Sequence, residues 1–257
     1  MEQRTRALEG LQLSDPAIKA EQAGALYASA CHGLPLDVSV ALPVPPGLPG
    51  RPARPRLVSA MQVPARSPFT LPGRAGLLHS ICHIEFNAIN LALDAVWRFP
   101  GMPSDYYRDW LRVASEEALH FSLLRAHLNS LGHDYGDFDA HDGLWSMTER
   151  TAGDIVARMA LVPRTLEARG LDATPPLQAK LRRAGDVRAV EILDVILQDE
   201  IGHVAIGNHW YGWLCARDGL DPLGHYQTLT QRHAAPRLRA PFNLDARRAA
   251  GFSPEEL

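Results

Sequence analysis

Apolar positions recur at three- and four-residue spacing along most of the chain, and strand-like alternation is nowhere sustained. That pattern predicts helices and no sheet. One stripe, Leu78, Ile81, Ile89, Ala92 and Val96, gives a helix from about Gly76 to Phe99, closed by Pro100-Gly101. A second, Trp110, Val113, Ala114, Phe121, Leu124 and Leu128, gives a helix from Ser104, read as its N-cap, to about Leu131 before Gly132. A third, Val156, Met159, Ala160 and Pro163, starts after Asp142 and stops at Gly170. The fourth, Leu193, Ile196, Val204, Gly207 and Tyr211, starts at Asp186 and runs to about Arg217 before Asp218-Gly219. LQAKLRRA, between the third and fourth, reads as a short extra helix. Near the N-terminus, Ser14-Asp15-Pro16 signals a first helix that reaches about Ala30.

Ten of the 20 prolines fall between Pro35 and Pro72, where no interior helix can hold. The stretch carries too many apolar residues for a free linker, so it reads as an extended arm lying on the main domain. The expected organisation is an N-terminal helix and proline-rich arm over residues 1–75, a four-helix bundle over 76–217 and a C-terminal extension over 218–257. The tail PRLRAPFNLDARRAAGF has aromatics to bury and should pack on the bundle.

Four carboxylates interrupt the apolar stripes. Glu117-Ala-Leu-His120 and Glu200-Ile-Gly-His203 each place a carboxylate and an imidazole one turn apart on a core-facing side. Glu85 and Glu167 sit alone on the apolar faces of the first and third helices. A lone carboxylate in an apolar core costs several kcal/mol, so it must pair, take a proton or bind metal. Four such groups carry a charge of about -4, which two divalent cations would balance. Glu85 lies 14 residues before Phe99 and Glu117 lies 13 after Ser104. At about 1.5 Å per residue, both carboxylates come to one level of an antiparallel pair. The bland alternative is a set of satisfied core hydrogen bonds or surface i,i+3 contacts.

Other residues carry weaker signals. Asp199 and Glu116 each precede a ligand-type glutamate and could orient a histidine, or simply face solvent. His83 lies on a different side of its helix from Glu85 and reads as a non-ligand. Arg164 could pair with Glu167 or point to solvent, and Pro163 should distort its helix beside Glu167. Tyr211, Trp97 and Trp210 read as core.

The order Glu, ExxH, Glu, ExxH resembles the ferritin-like di-iron carboxylate superfamily. More closely, RPARPRLV, HIEFNAINLALD, EEALHF, LVPRTLEARGLDATPP, LQDEIGHVAIGNHWY and RAPFN, spanning residues 51 to 243, resemble the DUF455 family of ferritin-like bacterial proteins. The resemblance implies an all-α ferritin-like four-helix bundle. Its metal ligands would be Glu85, Glu117, His120, Glu167, Glu200 and His203, holding two ions: iron, manganese or a mixed Mn/Fe pair. The activity that fits is an oxidoreductase using dioxygen or peroxide to oxidise or hydroxylate a small organic substrate, with an electron donor as partner. The alternative is an iron-binding, storage or detoxification protein without an organic substrate.

Charge and cysteines narrow the setting. The net charge is -3 with no long block of one sign, so nucleic acid is not an expected partner. Cys31, Cys82 and Cys215 are far apart with no CxxC, and read as reduced thiols. There is no signal-like N-terminus and no apolar stretch of 18 residues, so the expectation is a cytoplasmic protein with no membrane partner. A homodimer is compatible with the sequence.

Overall fold

Acidic side chains fix where several helices begin. Glu2 accepts from the backbone N–H groups of Arg4 at 2.8 Å and Thr5 at 2.5 Å. That cap opens α1 (Gln3–Gln12), which the apolar pattern does not announce. Asp15 accepts from Ala17 and Ile18 at 2.8 and 3.0 Å, and Pro16 follows it, giving α2 (Pro16–Cys31) as expected. The computed structural model describes residues 2–64 and 66–257; Met1 and Ala65 lie outside them. The described chain is all-helical, with one isolated β-bridge, Leu57 to Ala140.

The chain divides into two compact units, Met1–Trp145 and Ser146–Leu257. In the first, α3 (Leu71–Arg98) and α4 (Ser104–Ser130) pack along their lengths, joined by a short turn through Gly101. Ser104 is the first helical residue and not the cap; Pro103 takes the cap position and provides no side-chain bond. The acidic Asp105 in the first turn complements the positive end of the helix there. Helix α2 lies on α4 and α1 on α3, around a core that includes Trp97, Trp110, Tyr106, Tyr107, Phe86 and Phe121.

The proline-rich stretch is extended and tied down within this unit. Val58 N–H donates to Ala140 O at 2.8 Å, Arg51 pairs with Asp142 at 2.7 Å, and Arg56 makes a two-pronged pair with Asp139. Two buried cations hold its other side. Arg4 donates to the carbonyls of Asp37, Val40 and Trp97. Lys19 donates to Leu11 O, Gly50 O and Asn90 Oδ1 at 3.1, 2.8 and 2.5 Å. Each cation replaces lost hydration with oxygen acceptors, which is the condition for burying a charge.

In the second unit the expected third helix is broken. Helix α5 (Gly143–Arg150) reaches into this unit across the division. Then come α6 (Ile155–Leu161), a π-helical segment Val162–Glu167, and α7 (Ala168–Arg183). Pro163 stands at the start of the π segment, where its missing donor and ring force the extra residue into the turn. The Thr165 hydroxyl donates back to Ala160 O at 2.7 Å.

The third helix does not stop at Gly170, and LQAKLRRA is no separate helix; both lie inside α7, which also contains Pro175 and Pro176. Ala168, Leu171, Thr174, Gln178 and Leu181 bury one side at helical spacing. That tertiary burial outweighs the glycine and proline penalties. Helix α8 (Val187–Asp218) starts at the Asp186 cap and ends at Gly219, whose φ of 66° is the left-handed stop glycine permits. Helices α9 (Pro222–Arg232) and α10 (Leu244–Ala249) follow. Ala246, Ala250 and Phe252 pack on Ala168, Leu171 and Val204, so the tail covers α7 and α8.

Candidate metal centre

In the first unit, Glu85 on α3 meets Glu117 and His120 on α4. All three are buried. His120 Nδ1 lies 3.2 Å from Glu85 Oε2 and 3.2 Å from Glu117 Oε2. Donor atoms of the three lie within 4.8 Å of one another. The matching helix arms read from the sequence therefore do bring both carboxylates to one level.

The electrostatics of this group are such that it could hold a cation. Burial, and then the neighbouring Glu117 charge, push the Glu85 carboxyl up to about 8, while His120 pulls the other way. Two carboxylates this close resist ionising together unless a positive charge lies between them. Donors bonded to one ion at about 2.1 Å stand about 3 Å apart around it. The observed separations of 3.2 Å are of that size. Two oxygens and one imidazole nitrogen suit Mn, Fe or Zn and leave coordination positions open. The residues therefore fit a divalent metal ion.

Phe86 follows Glu85 and Phe121 follows His120 in the chain; the two rings are 5.6 Å apart and each packs on Tyr135. His83 is not part of the set. Its Nδ1 bonds the Tyr135 hydroxyl at 2.9 Å and its Nε2 meets Asn87 Nδ2 at 2.9 Å. Burial lowers its basicity to about 3. Glu116 pairs with Arg112 at 3.6 Å on a partly exposed face and leaves His120 to Glu85 and Glu117. Trp97 is core.

In the second unit, Glu200 and His203 are buried on α8 with donor atoms within 4.8 Å of each other. Glu167 is buried at the end of the π segment. Among the described residues, Glu167, Glu200 and His203 do not form a three-donor group within 4.8 Å. The π segment is seated on α8 one turn past His203. A Cβ on Gly207 would lie 2.5 Å from Pro163 Cβ, so only glycine allows this approach. Asp199 is half-buried, and Tyr211 and Trp210 are core. Arg164 neither reaches Glu167 nor points to solvent; it is buried and bonded to Asn208 and Glu256.

Sequence reasoning missed the buried cations. Lys19 is fully buried, with its amine 5.0 Å from the Phe86 ring centre, and burial lowers its basicity to about 7. Lysine is usually a surface residue, and two of its three acceptors are backbone carbonyls, which leave no mark in a sequence.

Comparison with known proteins places the chain. The family model described as Protein of unknown function (DUF455) matches residues 12–257. An uncharacterised protein of Haemophilus influenzae is 54% identical over 213 residues, covering 80% of this chain and 74% of that protein. No solved structure matches. With that length of match and that identity, the chain belongs to the DUF455 family.

Proposed function

We propose that this protein is a di-metal carboxylate oxidoreductase of ferritin-like type. Glu85, Glu117 and His120 would hold one ion; the repeat of the same residue types in Glu167, Glu200 and His203 supports a second. The reading rests above all on the convergence of two buried carboxylates on His120 Nδ1, each at 3.2 Å. Iron fits best among ions with redox chemistry for a mixed oxygen and nitrogen set, with manganese or a mixed pair as neighbours in preference. Such ions, when bound, supply the activation of dioxygen or peroxide that side chains cannot.

The chain's own residues do the rest. Glu85, kept protonated by burial and by Glu117, must release its proton when a cation enters, so metal uptake is coupled to proton release. A small organic substrate and an electron donor complete the proposed reaction.

The test is oxygen uptake by protein loaded anaerobically with ferrous iron, in the presence of a chemical reductant. Catalytic uptake that is lost in Glu117→Ala supports an oxidoreductase. Stoichiometric uptake that ends with many iron atoms per chain supports storage instead.

A further inference from the structure

The second unit buries an arginine among aromatic rings and pairs it with the chain's own tail. The Arg164 guanidinium carbon lies 5.1 Å from the ring centres of Tyr211 and Tyr226 and 5.0 Å from that of Phe252. Its Nη1 donates to Asn208 Oδ1 at 2.8 Å, and its Nη2 donates to Glu256 Oε1. Its Nε is buried and meets no acceptor among the described residues.

That leaves the best edge of the group half used. A guanidinium presents Nε–H and one Nη–H in parallel, matching the two oxygens of a carboxylate. Glu256 makes one of these bonds, through Oε1, while its Oε2 accepts from Ser253 N–H at 2.8 Å in the turn Pro254–Glu256. A buried N–H without an acceptor costs about 1–3 kcal/mol. An acid that offered both oxygens would satisfy the Nε–H and the Nη2–H together.

The tail is held unevenly. Up to Phe252 it is anchored: Arg247 makes a two-pronged pair with Asp172, Asn243 N–H donates to Asp172 at 2.9 Å, and Ala246, Ala250 and Phe252 are buried. From Ser253 to Leu257 no residue is buried. Leu257 packs against the cluster of Ala168, Leu171, Ala246, Ala250 and Phe252, and the last turn leaves by giving up that partly buried contact.

We propose that Arg164 anchors a binding site for a small carboxylic acid with an apolar or aromatic body, and that Glu256 is its built-in competitor. The acid takes Nε–H and Nη2–H, its body lies against Tyr211, Tyr226 and Phe252, and the turn Pro254–Glu256 moves aside. A neutral molecule would leave the guanidinium without a counter-charge. The site does not depend on bound metal, and its test is independent of the metal reading.

Calorimetric titration of the full chain with acetate, benzoate and octanoate decides the matter. Glu256→Gln weakens the competitor, and this variant should bind at least one of these acids about tenfold more tightly than wild type, one charge-assisted bond in size. Arg164→Lys keeps the charge and loses the fork, and should bind that acid at least about tenfold more weakly than wild type. If Arg164→Lys fails to fold, Glu256→Gln against wild type still decides. The proposal is overturned if Glu256→Gln binds none of the three acids more tightly than wild type, or if inorganic phosphate binds as tightly as the best of them.

Discussion

The two units carry the same ligand types on different scaffolds. In the first, Glu85, Glu117 and His120 stand on α3 and α4, two uninterrupted helices joined by a short turn. In the second, Glu200 and His203 stand on the long α8, but Glu167 stands at the end of a π segment broken by Pro163. Straight helices bring three donors together from simple spacing. The broken helix buries its carboxylate and leaves it outside a three-donor group with the pair on α8. Equal residue types thus do not give equal sites; the backbone that carries them decides.

Mutations can break this contrast. The largest effect should come from Glu117→Ala in the first unit, which removes one of two converging carboxylates. Metal affinity should fall by more than about 100-fold, above the usual effect of a group that merely orients a ligand. Equilibrium dialysis against ferrous or manganous ion measures it.

Next is the brace of the first unit. Lys19→Met leaves Leu11 O, Gly50 O and Asn90 Oδ1 without their shared donor. A loss of about 2–4 kcal/mol is expected in denaturant unfolding.

A smaller loss should follow from Gly207→Ala in the second unit, where the new methyl would meet Pro163 at 2.5 Å. About 1–3 kcal/mol should be lost as the π segment is pushed from α8. Unchanged stability would mean that the π segment is not rigidly seated there.

A last effect is one of pH and sharpens the picture of the first unit. The Glu85 carboxyl is raised from 4.5 to about 8, so the folded chain keeps a proton that the unfolded chain has lost. Metal-free stability from this group is greatest at low pH and is lost as pH rises through about 8. Metal-free wild type should therefore lose stability relative to Glu85→Gln between about pH 5 and pH 8, with no further change above. His79 and His83 act in the other direction. Burial lowers them to about 4 and about 3, so their contribution is present above 6.5 and is lost as pH falls. The difference between wild type and Glu85→Gln cancels that background.

Much of the architecture is legible in the sequence wherever local chemistry decides it. Asp15, Asp186 and Gly219 mark helix ends as caps and stops do. The apolar stripes of α3, α4 and α8 place Glu85, Glu117, His120, Glu200 and His203 on buried sides. Pro163 announces the distortion found at the π segment.

What escapes the sequence is decided over long distances. Helix α7 runs through Gly170, Pro175 and Pro176 because its other side is buried, and only the folded chain supplies that burial. Nothing in the sequence marks Lys19 as buried, and for Arg164 it offers only Glu167 or solvent. Their partners, Gly50 O and Glu256, lie 31 and 92 positions away. No pattern in one sequence encodes those pairings.

Metal analysis by mass spectrometry, on wild type and His120→Ala after anaerobic loading with ferrous or manganous ion, tests the central claim most directly. About two ions per chain are expected in wild type, with at least one lost in His120→Ala. No bound metal in wild type, or an unchanged content in His120→Ala, would show that Glu85, Glu117 and His120 serve the fold alone.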